Sequence, residues 1–202
     1  MNLPNKLTIS RFILTIAFLM VMFSKSLFPA SAARFHDTFA LVLFIAGGIT
    51  DFFDGHIARR DKLVTNFGIL MDPLADKIMV CSAFIAFVGL QWIPAWMVVI
   101  IVARELAITG LRLLAASKNV VLAAEGYGKH KTISQIVAII SVLVLHSYCE
   151  WGPLGSVFAV QVFGTPWSKW FTEASLYVAV ALTFTSGWLY LRRNRALYMN
   201  EL

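Results

Sequence analysis

Four aspartates stand at fixed spacing in an otherwise apolar part of the chain: Asp51, Asp54, Asp72 and Asp76. The whole chain has only eleven acidic residues, so four of them within one short segment form a distinct cluster. A carboxylate at the centre of a bilayer costs about 2.5–3.5 kcal/mol on insertion scales, and four together need a cation. Carboxylate oxygens suit Mg²⁺ or Mn²⁺, with phosphate oxygens completing the coordination. The cluster therefore predicts a metal site, with two ions, for phosphoryl chemistry.

The spacing of these aspartates fits two helices. Asp51 and Asp54 are three residues apart, and Asp72 and Asp76 are four apart, which places each pair on one helical face. A short connection would make the two helices antiparallel neighbours, with the pairs facing each other. Helix capping or a salt bridge between helices could explain one aspartate, but not four.

Small and basic residues accompany the cluster. Gly55 removes a side chain beside the acids, which would let a bulky ligand approach the backbone. Arg59 lies five residues after Asp54 and could bind a diphosphate through two hydrogen bonds. Ala58 and Gly68 are typical of close packing or ligand access. These residue types predict a phosphate-bearing ligand.

The elements that must position these residues are membrane helices. Hydrophobic residues make up 59% of the 202-residue chain, more apolar surface than a soluble domain of this size can bury. We expect an all-α membrane bundle, one domain over residues 1–202, with six transmembrane helices. The predicted spans are about 7–23, 38–57, 72–89, 95–115, 132–148 and 172–191. Residues 150–169, rich in Gly, Trp and Pro, are typical of an interfacial loop.

The positive charge indicates an orientation. Of the 17 Lys and Arg residues, a six-span layout leaves only Lys25, Arg34 and Lys169 on the side away from the termini. The positive-inside rule then predicts cytoplasmic termini, a multi-pass plasma-membrane protein and aspartates near the cytoplasmic face. The net charge of +6 is explained by orientation and lipid contact, so we expect no nucleic-acid partner. Ala30-Ser31-Ala32 is similar to a signal cleavage site, but Arg11 interrupts the apolar run, which favours an uncleaved anchor.

The pattern D-x2-D-G-x2-A-R-x8-G-x3-D-x3-D resembles the signature of the CDP-alcohol phosphotransferase family, and all eight defined positions match between residues 51 and 76. Members of that family displace CMP from a CDP-linked substrate with an alcohol. The resemblance implies that Asp51, Asp54 and Asp72 bind metal. It also implies that Asp76 completes the metal site and acts as the general base, and that the protein is a homodimer.

The N-terminal segment Pro4-Asn5-x-Leu7-Thr8-x-x-Arg11 resembles the phosphatidyl-transferring branch of the family. Asn5 and Thr8 could contact the cytidine or the diphosphate, or they could simply cap the first helix. Arg11 is either a ligand contact or a residue that extends its charge to the membrane surface. The expected contacts of the CDP-lipid are then Asn5, Thr8, Asp51, Gly55, Ala58, Arg59 and Gly68.

A second basic group predicts the site of the acceptor alcohol. A helix N-terminus carrying Lys129, His130 and Lys131, with Arg104 and Arg112 nearby, suits a phosphate monoester. The pattern around these residues is similar to that of the branch that makes phosphatidylglycerophosphate. This similarity implies CDP-diacylglycerol as donor and sn-glycerol 3-phosphate as acceptor. The residues also allow a structural ion pair at Arg104-Glu105, and lipid headgroup contacts or an orientation signal at the lysines.

Three other functions are compatible with parts of the pattern. The same chemistry could use serine, inositol or its phosphate, or phosphatidylglycerol, which would give cardiolipin. A divalent-cation transporter could use the aspartates as a pathway, but would place them at several depths. A lipid-binding scaffold with an inactive site would not need the complete motif.

Overall fold

The computed structural model describes residues 3–24, 35–61, 66–118 and 127–195, and it describes side chains at all of these except 3–8, 51–61, 66–73, 76 and 127–129. Six α-helices make up most of this part of the chain, which confirms the all-α class. They are α1 (Leu3–Ser24), α2 (His36–Asp61), α3 (Asn66–Gly89), α4 (Ala95–Ser117), α5 (Tyr127–Ser147) and α6 (Trp167–Arg193).

The segment between α5 and α6 is folded rather than open. A 3₁₀-helix covers Tyr148–Val157, and β1 (Gln161–Val162) pairs antiparallel with β2 (Thr165–Pro166). The indole N–H of Trp167 donates to Val157 O at 2.7 Å. The sequence predicted a loop through residue 169 and a last span from 172. The structure instead starts α6 at Trp167, because the chain leaves the hairpin through Pro166 directly into the helix.

The first three helices pack as a group. The rings of Phe18 in α1 and Phe44 in α2 lie 6.0 Å apart between centroids. At the far end of α1, a Cβ atom at Gly89 of α3 would come within 3.3 Å of the Phe23 ring. The apolar core continues from this group into α4 and α5 through Phe84, Phe87, Ile101, Ile139 and Leu143, all fully buried.

A polar seam joins α5 to α6. Gln135 Nε2 donates to Thr183 Oγ1 at 3.0 Å, and the hydroxyls of Ser141 and Ser175 lie 2.8 Å apart. Thr172 Oγ1 also donates to the backbone oxygen of Ser141 at 3.1 Å. Such bonds are satisfied only at one axial offset, so they fix the register of the two helices.

Glu150, in the 3₁₀-helix, caps the start of α2. Its Oε1 accepts from the backbone N–H of Asp37 at 3.1 Å, and its Oε2 accepts from that of Thr38 at 2.9 Å. Trp151 Nε1 donates to Thr38 Oγ1 at 2.8 Å. The first N–H groups of a helix have no partner within it, so a carboxylate from another element satisfies them.

Two helical stretches in the described part of the chain are long and apolar enough to cross a membrane: His130–Val157 and Trp167–Arg193. Shorter apolar stretches occupy Ile9–Ser24, His36–Thr50 and Lys77–Gly89. The six helices agree with the predicted spans in number and order. Length and composition support membrane crossing for two of them.

Candidate active site

The four predicted metal ligands lie on two consecutive helices. Asp51 and Asp54 fall within α2, and Asp72 and Asp76 fall within α3. Because each pair lies in continuous α-helix, the spacings of three and four residues place each pair on one helical face. α2 continues to Asp61 and α3 begins at Asn66, so both helices extend beyond the predicted spans 38–57 and 72–89.

α2 and α3 approach each other closely next to this cluster. A Cβ atom at Gly47 would come within 2.6 Å of Met79 Sδ. Gly47 precedes Asp51 by one helical turn, and Met79 follows Asp76 by three residues. In α2 the chain therefore passes this contact first and then reaches Asp51. In α3 it passes Asp76 first and then reaches the contact. This arrangement is the one expected for antiparallel neighbours with the aspartates at the same end.

Most of the predicted donor and metal contacts lie outside the described side chains, so their roles stay predictions. They are Asn5, Thr8, Asp51, Asp54, Gly55, Ala58, Arg59, Gly68, Asp72, Asp76 and, in the acceptor group, Lys129. Arg11, by contrast, is described and is 1% exposed. Its burial in α1 argues against a side chain that extends to the membrane surface.

The described part of the acceptor group centres on Glu105. Lys131, at the start of α5, is only 6% exposed, and its ammonium group binds Glu105 Oε1 of α4. Arg104 Nη1 lies 3.4 and 3.5 Å from the two carboxylate oxygens of Glu105. Lys131 is therefore held inside the bundle by Glu105 rather than at its surface. The ion pair of Arg104 with Glu105 is present, but the closer partner of Glu105 is Lys131.

Lys77 links this group to the helix of the aspartates. Its ammonium group donates to Thr109 Oγ1, and the same hydroxyl donates to the backbone oxygen of Glu105 at 2.7 Å. Lys77 follows Asp76 directly in α3. A continuous set of polar contacts therefore runs from α3 through α4 to Lys131 in α5.

Sequence reasoning missed Lys77 and Thr109 and gave Glu105 too small a role. A signal was present, because Glu105 is the one acid between residues 77 and 124 and lies within a predicted span. A buried carboxylate needs a cation, and the basic residue that supplies it follows 26 positions later.

The remaining predicted acceptor residues are placed differently. Arg112 and His130 are exposed, and among the described residues neither reaches Glu105. Arg112 does lie close enough to Lys77 for their charges to interact. The structure therefore brings Arg104 and Lys131 together around one carboxylate and leaves Arg112 and His130 at the surface of the protein.

Comparison with known proteins decides the family. The sequence model of the CDP-alcohol phosphatidyltransferases matches residues 1–185. The chain belongs to this family. The resemblance inferred from the aspartate pattern is thus confirmed.

Relatives within the CDP-alcohol phosphatidyltransferases match over nearly the whole chain. A protein of Bacillus subtilis named CDP-diacylglycerol–glycerol-3-phosphate 3-phosphatidyltransferase is 40% identical over 200 residues, covering 96% of this chain and 95% of the relative. A protein of the same name from Cereibacter sphaeroides is 32% identical over 216 residues, covering 95% of each. One from Rickettsia prowazekii is 33% identical over 192 residues, covering 95% and 94%.

Proposed function

We propose that this protein transfers the phosphatidyl group from CDP-diacylglycerol to sn-glycerol 3-phosphate, giving phosphatidylglycerophosphate and CMP. The observation that carries the proposal is the 40% identity, over 96% of the chain, to a relative named for that reaction. The buried basic group around Glu105 supports the same acceptor, because it offers positive charge to a phosphate monoester.

The acceptor phosphate is expected to bind among Arg104, Arg112, Lys129, His130 and Lys131. Glu105 already neutralises one charge at Lys131 and Arg104, and Lys77 adds another cation nearby. The remaining positive charge favours a dianionic phosphate over neutral inositol or zwitterionic serine. Glu105 also holds the Lys131 ammonium group in place before the acceptor arrives.

The residues of the motif fit a divalent metal. Four carboxylates at helical spacing on two helices that approach closely at Gly47 and Met79 supply the hard oxygen ligands that Mg²⁺ and Mn²⁺ prefer. Asp51, Asp54, Asp72 and Asp76 would hold the ions, two of them by analogy with other phosphoryl-transfer sites. When bound, the metal neutralises the diphosphate and stabilises the leaving CMP. Asn5, Thr8, Gly55, Ala58, Arg59 and Gly68 would surround the donor.

Asp76 would take the proton from the acceptor hydroxyl. The hydroxyl oxygen attacks the phosphorus that bears diacylglycerol, so a new P–O bond forms while the P–O bond to CMP breaks. An ionised aspartate is a weak base, so its contribution depends on its position beside the attacking oxygen. Lys77, the next residue, is tied to Thr109 of α4 and would hold this part of α3 against the acceptor group.

In the membrane, the proposed arrangement has six spans, cytoplasmic termini and a cytoplasmic active site in the plasma membrane, with a homodimer as the assembly. The lopsided distribution of Lys and Arg supports the orientation. CDP-diacylglycerol would enter from the inner leaflet, and glycerol 3-phosphate from the cytoplasm.

CMP release by the purified protein tests the proposal. The assay contains CDP-diacylglycerol and Mg²⁺, with glycerol 3-phosphate, serine, inositol, inositol phosphate or phosphatidylglycerol as acceptor. We expect release with glycerol 3-phosphate alone, lost in Asp72→Asn. Release with another acceptor would refute the acceptor assignment and keep the chemistry. Metal uptake into liposomes without CMP release would favour a transporter instead.

A further inference from the structure

The segment between α5 and α6 lacks charge. From Trp151 to Ser168, eighteen consecutive residues include no Asp, Glu, Lys or Arg. A connection that faces water normally carries charged side chains, because it has no apolar surface to cover. This one instead combines four indole or phenyl side chains with Leu and Val. Its composition is that of a segment in contact with an apolar medium.

Many of its apolar side chains face outward. Phe163, at the tip of the hairpin, is 96% exposed, and Leu154, Val157, Val160 and Val162 are also exposed. Trp170 and Phe171, in the first turns of α6, continue this exposed apolar surface. An exposed apolar patch of this extent in a folded segment marks an interaction surface.

Phe163 occupies a backbone position that does not favour phenylalanine. It and Gly164 form the two-residue turn of the hairpin with φ values of 54° and 80°. Asn and Gly are preferred where both turn residues need positive φ, and a bulky residue there carries a conformational cost of order 1 kcal/mol or more. The turn thus holds the most exposed large side chain of the segment at an unfavourable backbone angle, which indicates a role for that side chain outside folding.

Several polar groups of the segment have partners within it or in the first turn of α6. Trp167 donates its indole N–H to Val157 O, Trp170 donates to Val162 O at 3.3 Å, and Ser168 Oγ donates to Phe158 O at 2.8 Å. The ring of Phe158 stacks on that of Trp167 with centroids 5.8 Å apart. Backbone carbonyls with partners inside the protein can leave water at little cost.

The position of the hairpin limits what can cover it. The two stretches that are long and apolar enough to cross a membrane, His130–Val157 and Trp167–Arg193, directly precede and follow it. Nine residues between the ends of two such helices stay at the membrane surface. The hydrogen bonds of Glu150 hold this end of the molecule against the start of α2. At a rise of 1.5 Å per residue, the start of α2 lies about 20 Å along the helix from Asp51.

We propose that the hairpin Gln161–Pro166 inserts Phe163 into the lipid leaflet on the side of the bundle opposite the aspartates. Trp170 and Phe171 lie at the same boundary, where aromatic rings are favoured, and the adjacent Lys169 is exposed, with a side chain long enough to reach the headgroups. The inference rests on the membrane placement in the proposed function, but not on the acceptor or the metal.

The test introduces Phe163→Cys and labels the new thiol with an environment-sensitive fluorophore, NBD. The background carries Cys81→Ala and Cys149→Ser, and its CMP release is checked against the unaltered protein. Val178→Cys, on the exposed face of α6, supplies the lipid reference, and Ser117→Cys, at the end of α4, supplies the water reference. Each protein is reconstituted in phosphatidylcholine–phosphatidylglycerol liposomes and quenched with doxyl-labelled lipids or with iodide.

We expect emission from position 163 at shorter wavelength than from position 117, strong quenching by lipid labelled near the headgroup, and little quenching by iodide. Quenching by iodide at the level of position 117 would overturn the inference, because the hairpin would then lie in water. Quenching by neither agent would overturn it too, since another protein surface would cover the tip. CMP release in the same liposomes reports on the proposed function separately. If CMP release is absent while the probe at position 163 is still quenched by lipid, only the reaction is refuted.

Discussion

Gly187 of α6 packs against the side chain of Arg104 of α4, and a Cβ atom at this glycine would lie 2.7 Å from Arg104 Cγ. Arg104 Nε is buried without a hydrogen-bond partner among the described residues, so packing does much to hold the guanidinium. Gly187→Ala should displace Arg104 and raise the KM for glycerol 3-phosphate roughly tenfold, with kcat little changed. A tenfold change corresponds to a loss of about 1.4 kcal/mol in binding free energy. CMP release measured across acceptor concentrations checks this expectation.

A matched glycine and a double variant control this prediction. A Cβ atom at Gly110 of α4 would meet nothing within 4 Å, so Gly110→Ala should leave the KM unchanged. If Gly187 acts through Arg104, then Arg104→Ala combined with Gly187→Ala should match Arg104→Ala alone. Additive losses in the double variant would show that Gly187 acts elsewhere.

The buried pair of Lys131 and Glu105 should be costly to break from one side. Lys131→Met removes the nearer cation of Glu105, and Glu105→Gln leaves the Lys131 charge buried without its carboxylate, so each should lower the free energy of unfolding, by up to about 3–5 kcal/mol. The combination Glu105→Gln with Lys131→Met removes both charges and should cost less than the sum of the two single variants. Denaturant unfolding in detergent micelles measures all three. A double variant as unstable as the sum of the single variants would contradict the pairing.

The helices could be predicted because their sequence signals are local. Apolar runs bounded by polar residues predicted six elements in the right order, and the fourth predicted span starts at residue 95, where α4 begins. The aspartate spacing likewise predicted two one-sided pairs, because helical periodicity relates residues three and four apart. Arg104 and Lys131 were both predicted as anion ligands, and the structure brings them together at Glu105.

Contacts between distant parts of the chain could not be predicted in the same way. Glu150 caps Thr38 across 112 residues, and no periodicity in either segment indicates the pairing. The link from Lys77 to Thr109 depends on how α3 and α4 rotate against each other, which packing of the whole bundle determines. Composition predicted an interfacial loop over residues 150–169, but not the 3₁₀-helix and hairpin, because these depend on contacts with α6.

The proposed general base predicts a large loss of turnover. Asp76→Asn keeps the size of the side chain but cannot accept the proton, so kcat should fall by about 10²–10⁴-fold. Binding of CDP-diacylglycerol, followed as a shift of the melting temperature in detergent, should persist. Glu173→Gln, at an exposed acid of α6, is the control and should keep full activity. Full turnover by Asp76→Asn would remove Asp76 from this role.

The carboxylate cap on α2 should contribute measurably to stability. Glu150→Gln keeps one acceptor oxygen and the shape of the side chain, but it loses the charge and the second acceptor at the N–H groups of Asp37 and Thr38. Charge-assisted hydrogen bonds at a helix start contribute about 1–2 kcal/mol, so the free energy of unfolding should fall by about that amount.

Trp151→Phe separates this cap from its neighbour, because it removes only the indole donor to Thr38 Oγ1 and keeps an aromatic ring against Phe158. It should cost less than Glu150→Gln, about 0.5–1.5 kcal/mol, the usual net value of one hydrogen bond. Equal losses in the two variants would mean that ring packing, not the carboxylate, holds the start of α2. Hydrogen exchange of the Asp37 and Thr38 amides decides the point directly, since loss of the cap should speed exchange there before it affects the middle of α2.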